Sequence, residues 1–270
     1  MPQLSDACFR RISTLLHETI GLSFPEHKKA LVSSRLATRL QRLGLAGFDD
    51  YAALLDDPDE GAEFQMAVDL LTTNETYFFR EPLHFELLQK QLQAQPPRGP
   101  LSVWSAASSF GDEAFSLAML LSDMQTCGQL PVNWSIKASD ISHRVLCAAR
   151  EAIYPVDRLR FVSPERLRRH CLRGEGPAEG QVLMKPELRA HVQFGQLNLT
   201  RPYTGLGPFD VVFLRNVLIY FDAATKRAVV DRVLSTLKPG GLFFVGTAEG
   251  RPPCRTPLQV LAPGVFRRPA

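Results

Sequence analysis

The sequence predicts an α/β protein, an open and mainly parallel sheet with helices on its faces, entered through a small all-α bundle. Three stretches carry that expectation. Leu101 to Leu121, LSVWSAASSFGDEAFSLAMLL, runs from a short apolar segment through small residues, Phe110 excepted, to Gly111-Asp112-Glu113, and closes on apolar residues at helical spacing: strand, turn, helix. Phe209 to Leu214, with DVVFL at its core, is an apolar run of the kind that marks a strand buried on both faces of a parallel sheet. Residues 1 to about 75 show neither strand alternation nor glycine-rich turns, and Phe9, Ile12, Leu15, Leu16 and then Leu36, Leu40, Leu43 recur at helical spacing.

Size and composition fit this division. A chain of 270 residues suits one α/β domain and a smaller helical one, and a net charge of +3 is too small to point to nucleic acid. The five cysteines, Cys8, Cys127, Cys147, Cys171 and Cys254, are scattered and form no C-x-x-C pair. They read as reduced thiols of a cytoplasmic protein, with no disulfide framework and no metal site. No signal peptide opens the chain and no apolar run is long enough to span a bilayer.

Within the second helix of the bundle, Lys28, Arg35, Arg39 and Arg42 fall within about a sixth of a turn of one another at helical spacing, forming a basic stripe beside the apolar face. Such a stripe is either a solvated surface or a docking face for an acidic helical partner, since aligned charges steer encounter and fix register. The acidic segment from Asp49-Asp50 to Glu63 reads as exposed helix and loop. The text then changes to LLTTNETYFFREPLHFE, Leu70 to Glu86. Polar residues suited to caps and turns precede three aromatics and an arginine, more like the wall of a binding site than a spacer. Helix resumes at Pro82, a good first-turn residue, and ends before Gln95-Pro96-Pro97-Arg98-Gly99-Pro100. The expected divisions are 1–75, a helical docking domain; 76–97, a linker helix; and 98–270, the sheet domain.

The turn after the first strand lacks the G-x-G-x-x-G that cradles a pyrophosphate, and its acidic pair Asp112-Glu113 suits a cationic ligand. A second strand, Trp134 to Ser139, delivers Asp140, an acid placed to accept both hydroxyls of a ribose. A helix begins at Ser142 and runs to Ala152. The stretch about 167–190, with the loop RGEGPAEG at Arg173 to Gly180, suggests a small antiparallel insertion. Then come a strand at His191 to Phe194, Asn198-Leu199, and the buried strand that brings Leu214, Arg215 and Asn216 to the carboxyl edge of the sheet, where ligands bind in open α/β folds. A helix from Ala223 to Leu237 should stop at Lys238-Pro239-Gly240-Gly241. Leu242 to Gly246 should be a fifth buried strand, and Leu258 to Leu261 with Gly264 to Arg268 a closing antiparallel pair.

Six stretches, in order, resemble the CheR-type chemotaxis receptor methyltransferases: TTNETYFFRE (72–81), WSAASSFGDEAFSLAM (104–119), KASDIS (137–142), QLNL (196–199), FDVVFLRNVLIYFD (209–222) and LKPGGLFFVGTAE (237–249). The resemblance implies a class I, Rossmann-like S-adenosylmethionine-dependent methyltransferase domain with an inserted antiparallel β-subdomain, behind an all-α N-terminal domain. It implies that S-adenosylmethionine, and its product S-adenosylhomocysteine, touch Asn74, Thr76, Arg80, Glu113, Asp140, Asn198, Leu199 and the backbone around Leu214, Arg215 and Asn216. Asp140 would take the ribose, Asn198-Leu199 the adenine, and Glu113 the ammonium end. Asp112, Ala114 and Phe115 stand where the family more often has Glu, Pro and Tyr, and Phe110 replaces a smaller residue.

The implied reaction is methylation of a glutamate side chain on the cytoplasmic helical bundle of a chemoreceptor, giving a methyl ester. A carboxylate with a pKa of about 4.3 is ionised at neutral pH, so no strong general base is needed and alignment can supply most of the catalysis. Arg80 and Tyr220 are the expected catalytic pair, orienting the incoming carboxylate. Lys28, Arg35, Arg39 and Arg42 would meet the acidic methylation helices, and the loop 173–180 resembles that of members that bind a receptor's C-terminal pentapeptide by strand addition. Membrane-borne receptors would be met from the cytoplasmic side. The competing reading is an adaptor that binds S-adenosylmethionine or its product without much catalysis. A nucleic-acid amino methyltransferase is disfavoured because Leu-Arg-Asn-Val-Leu-Ile-Tyr stands where an Asn/Asp-Pro-Pro-Tyr-like signature would be, and a dehydrogenase by the missing glycine fingerprint.

Overall fold

The computed structural model describes residues 3–270. Four helices form the N-terminal bundle: α1 (Asp6–Ile20), α2 (Lys29–Leu43), α3 (Phe48–Asp56) and α4 (Gly61–Leu71). Ser5 caps α1 by accepting the Cys8 N–H, and Gly21 and Gly44, both left-handed, end α1 and α2. Phe9, Ile12, Leu16, Leu36, Leu40, Tyr51 and Val68 make the bundle's core. Each large apolar side chain so buried contributes about 1.5–3 kcal/mol.

After α5 (Pro82–Ala94), with Pro82 in its first turn, the sheet domain runs β1 (Leu101–Ala106), α6 (Asp112–Thr126), β2 (Trp134–Asp140) and α7 (His143–Glu151). The insertion follows as β3 (Ile153–Pro155), α8 (Pro164–His170), β4 (Cys171–Arg173), β5 (Gln181–Met184) and α9 (Pro186–Arg189). The chain closes with β6 (Val192–Gln196), β7 (Phe209–Leu214), α10 (Ala223–Ser235), β8 (Leu237–Val245), β9 (Gln259–Ala262) and β10 (Val265–Arg267).

The seven-stranded sheet has the order β6-β2-β1-β7-β8-β10-β9, parallel from β6 through β8, with the last two strands antiparallel. Its central strands β1 and β7 are buried on both faces, and side chains alternate between two cores. Val103, Phe213 and Phe244 pack with Phe85, Leu88 and Phe115 from α5 and α6. Trp104, Val212, Leu214 and Phe243 pack with Val229, Val230 and Val233 of α10.

Two expectations about boundaries change. The insertion opens earlier than residue 167, because Ile153–Pro155 supplies one edge of its three-stranded sheet, β3-β5-β4. Its three residues are too few for any alternation to show. The helix α10 ends at Ser235, and Lys238-Pro239-Gly240-Gly241 lies inside β8: Gly240 N–H donates to the Arg268 carbonyl and Arg268 N–H to that of Gly241, both at 2.9 Å. The helix has already ended before these glycines, which extend the sheet.

The bundle is docked on the sheet domain through the end of α1. A Cβ at Gly21 would stand 2.6 Å from Thr200 Cγ2 and 2.9 Å from Thr225 Cγ2. Around it Asn198 Nδ2 donates to the Thr19 carbonyl (2.8 Å), Ser23 N–H to that of Tyr220 (3.0 Å), and His17 Nε2 lies 2.6 Å from Asp222 Oδ2. On the far side of the sheet domain, Asp123 near the end of α6 gathers Arg166, Arg169 and His170 and so anchors the insertion.

Candidate functional site

One cavity of about 400 Å³ opens over the carboxyl ends of β1, β2 and β7. That size lies in the range of small-molecule sites, about 300–1,000 Å³. Its floor is the strand ends, one wall is the segment 71–80, and Ile20, Leu22, Phe24 and Pro25 of the bundle roof it. Asn74, Thr76, Arg80, Glu113, Asp140, Asn198, Leu199, Arg215, Asn216 and Tyr220 all line this cavity. Leu214, the remaining expected contact, is fully buried in β7 and points into the core beneath.

The turn after β1 accepts a close ligand without the glycine fingerprint. Ala107 and Ser109 hold positive φ, 70° and 50°, so small side chains take the left-handed positions a glycine would usually fill. Gly111, at φ 88°, is required for packing: a Cβ there would meet Tyr154, Ala149 and Phe194 at 3.0–3.1 Å. Asp140 fastens the turn, accepting the Ser109 N–H on Oδ2 (2.8 Å) and the Ser142 N–H on Oδ1 (2.9 Å). Burial raises its pKa and these backbone donors oppose the rise. Ser108 lines the cavity by residue, but its hydroxyl is buried away from the open space and has no hydrogen-bond partner among the described residues.

The acidic pair divides. Glu113 lines the cavity, whereas Asp112 is fully buried and paired with Arg158 of the insertion, Oδ1 to Nε at 2.6 Å and Oδ2 to Nη2 at 2.9 Å. The expectation that both acids face a cation is thus corrected: adjacent helical residues point about 100° apart, and only one can look into the site. Glu113 accepts Ser105 Oγ on Oε1 (2.6 Å) and Arg215 Nη1 on Oε2 (3.0 Å). Burial raises its pKa and Arg215 opposes that rise most strongly.

Arg80 projects into the cavity with no carboxylate against it. Its Nη1 donates to the Glu75 carbonyl at 2.9 Å and its guanidinium lies 6.0 Å from the Tyr77 ring centre. Tyr220, half-buried, closes the same side and packs on the bundle core. Burial raises its pKa, while Thr73 and the positive charges of Arg80 and Arg35 lower it. The cavity therefore presents a cationic donor, a phenol, the acids Glu113 and Asp140, and an apolar roof. That arrangement can hold a ligand with a polar sugar and a positive end while admitting a carboxylate toward Arg80.

The basic stripe is not uniformly exposed. Lys28 lies in the turn before α2, is exposed, and lines the cavity rim; Arg42 is exposed at the end of α2. Arg35 donates to the carbonyls of Leu71 and Thr72 at 2.8 and 3.2 Å. Arg39 forms a fork with Glu63, Nε to Oε1 at 3.0 Å and Nη2 to Oε2 at 2.5 Å, and Tyr51 Oη adds a donor at 2.8 Å. Glu63, expected on an exposed segment, is buried. A buried carboxylate needs a cation, and Arg39 is the one within reach. Asn198 likewise spends its side chain on structure, donating to Thr19 and accepting from Thr200.

Two residues went unassigned in the sequence: Glu81, between Thr247 and Asn216, and Glu249, which accepts the N–H groups of Asn216 (2.8 Å), Leu218 (2.8 Å) and Gly246 (2.7 Å). Both lie within stretches that carry the family resemblance, and that was the available signal.

Comparison with known proteins gives two family matches. The one described as CheR methyltransferase, all-alpha domain, covers residues 7–72, and CheR methyltransferase, SAM binding domain, covers residues 74–261. The chain is similar to the chemotaxis protein methyltransferase of Escherichia coli (strain K12), 45% identical over 247 residues that make up 91% of this chain and 85% of that one. Two relatives from Pseudomonas aeruginosa, chemotaxis protein methyltransferases 2 and 1, are 41% and 36% identical, over 89% and 98% of this chain and 85% and 98% of theirs.

Proposed function

The chain belongs to the CheR methyltransferase family, and from that premise we propose how its cavity works and what it acts on. It is an S-adenosylmethionine-dependent methyltransferase that modifies chemotaxis receptors, with a class I methyltransferase domain behind an all-α domain. The residues present suit the cofactor. Asp140 retains free lone pairs for ribose hydroxyls, and Glu113 sits where a positive methionine end would lie. Leu22, Phe24 and Leu199 offer an apolar berth for a purine.

When bound, S-adenosylmethionine supplies an electrophilic methyl group, which passes to a glutamate carboxylate oxygen as the carbon–sulfur bond opens, leaving the uncharged thioether. The acceptor is already ionised at neutral pH and no proton is moved. The protein's task is alignment. Arg80 grips the incoming carboxylate through charge-assisted hydrogen bonds, Tyr220 orients it through its phenol, and the apolar roof excludes water. The single observation that carries this reading is that Arg80 enters the cavity with no carboxylate partner, beside Tyr220.

The acceptor lies on the receptor's helical bundle, which Lys28 meets at the rim and Arg42 at the far end of α2, and the insertion loop 173–180 engages a receptor C-terminal pentapeptide along an edge of its small sheet. Among the described residues no helix is long and apolar enough to cross a membrane. Incubating the purified protein with methyl-labelled S-adenosylmethionine and receptor-bearing membranes should yield base-labile methanol; label that survives base would overturn ester formation. Titrating a receptor tail peptide should show saturable binding lost on deleting residues 173–180, and no binding would reduce that loop to a structural element.

A further inference from the structure

Arg80 stands between two residues that hold left-handed conformations without being glycine, Phe79 at φ 56° and Glu81 at φ 57°. L-amino acids avoid that region, and such residues persist where their surroundings over-determine them. Three contacts do so here. Phe79 N–H donates to Ser116 Oγ at 2.9 Å, Arg215 Nη2 donates to the Arg80 carbonyl at 2.5 Å, and the Glu81 carboxylate is fully engaged. Its Oε2 accepts the N–H and the hydroxyl of Thr247 at 2.9 and 2.7 Å, and its Oε1 accepts Asn216 Nδ2 at 3.2 Å. Asn216 is itself left-handed, at φ 58°, with its N–H fixed by Glu249, and it opens the loop that leads to Tyr220.

Glu81 does not line the cavity, so it is not placed to touch cofactor or acceptor. Burial alone would raise its pKa, but Thr247, Arg215 and Asn216 hold it down to about 2, and it stays ionised through the neutral range. We propose that Glu81 is a positioning residue for methyl transfer: by joining Thr247 and Asn216 it fixes the backbone of Arg80 against the loop that carries Tyr220. The inference rests on the roles given above to Arg80 and Tyr220.

The test compares Glu81→Ala, Thr247→Val and Thr247→Ser with the wild-type protein in the labelled-methyl assay, alongside melting curves and calorimetry with S-adenosylhomocysteine. Glu81→Ala should lower kcat about tenfold or more, because small misplacements of reacting groups are costly, with KM for receptor and Kd for S-adenosylhomocysteine changed less than about threefold. Thr247→Val, which keeps the backbone donor and loses the hydroxyl, should lower kcat by a smaller factor, and Thr247→Ser should restore it. A folded Glu81→Ala with wild-type kcat, or a loss confined to KM or Kd, overturns the inference. If Glu81→Ala does not fold, Thr247→Val decides: unchanged kcat overturns it equally. A wild-type protein that labels no receptor defeats the proposed reaction itself, whereas an active wild type with unaffected variants defeats only the role of Glu81.

Discussion

Asp112 and Arg158 are joined by two hydrogen bonds, 2.6 and 2.9 Å, across the boundary between the sheet domain and its insertion, with the aspartate fully buried and the arginine partly open to solvent. Burial raises the pKa of Asp112, and the guanidinium opposes it. Arg158→Ala should therefore strand a buried acid and cost about 3–5 kcal/mol. Urea unfolding at neutral pH measures this; a loss below about 1 kcal/mol would mean that the site relaxes and the pair is not a fastening.

Arg80 and Tyr220 should separate transfer from folding. Arg80→Ala is expected to remove most methyl-ester formation, about a hundredfold, and Tyr220→Phe a smaller part, while both melt close to the wild type. Near-normal ester yield from Arg80→Ala would rule out its grip on the acceptor.

The two halves of the basic stripe should behave differently. Lys28→Glu with Arg42→Glu should raise KM for receptor several-fold, more so at low salt, and change cofactor-product affinity far less. Arg39→Glu instead sets a like charge against buried Glu63 and should destabilise the bundle by about 3 kcal/mol or more. Equal effects on receptor and cofactor from the first pair would count against docking; a fully stable Arg39→Glu would contradict the burial of Glu63.

Acid should loosen the start of α10 and, through His17, the junction between bundle and sheet domain. The Thr225 N–H first, and then His17, hold Asp222 down to about 2 from its ordinary 3.8. A carboxyl depressed on folding contributes stability that is present above about pH 4 and is lost as pH falls through about 2. The pair is exposed, so the effect is small and salt-sensitive. Denaturant midpoints between pH 5 and pH 2 should fall more steeply for the wild type than for Asp222→Asn; parallel curves would mean that the contact adds nothing.

Much of this was readable from residue order. The apolar run of β7, the cap at Ser142, Pro82 opening α5 and Asp140 closing β2 are local signals, and local physics produces them. What could not be read is set by distant partners. Nothing near Glu63 announces that Arg39, 24 residues away, will bury it, and nothing in Gly111-Asp112-Glu113 says which acid turns inward. Lys238-Pro239-Gly240-Gly241 reads locally as a helix stop, but α10 has already ended at Ser235 and Arg268 recruits this backbone into the sheet. The Glu81 clamp joins residues 166 positions apart, and neither stretch by itself names the other as its partner.

The roof of the cavity has an engineering consequence. Since Ile20 to Pro25 cover a pocket whose floor comes from the sheet domain, and Gly21 leaves no room against Thr200 and Thr225, the first seventy residues are not an interchangeable receptor adapter. Hybrids that graft one relative's bundle onto another's sheet domain must carry Gly21, Thr200, Thr225 and Phe221 together, or the graft will gape over the cavity.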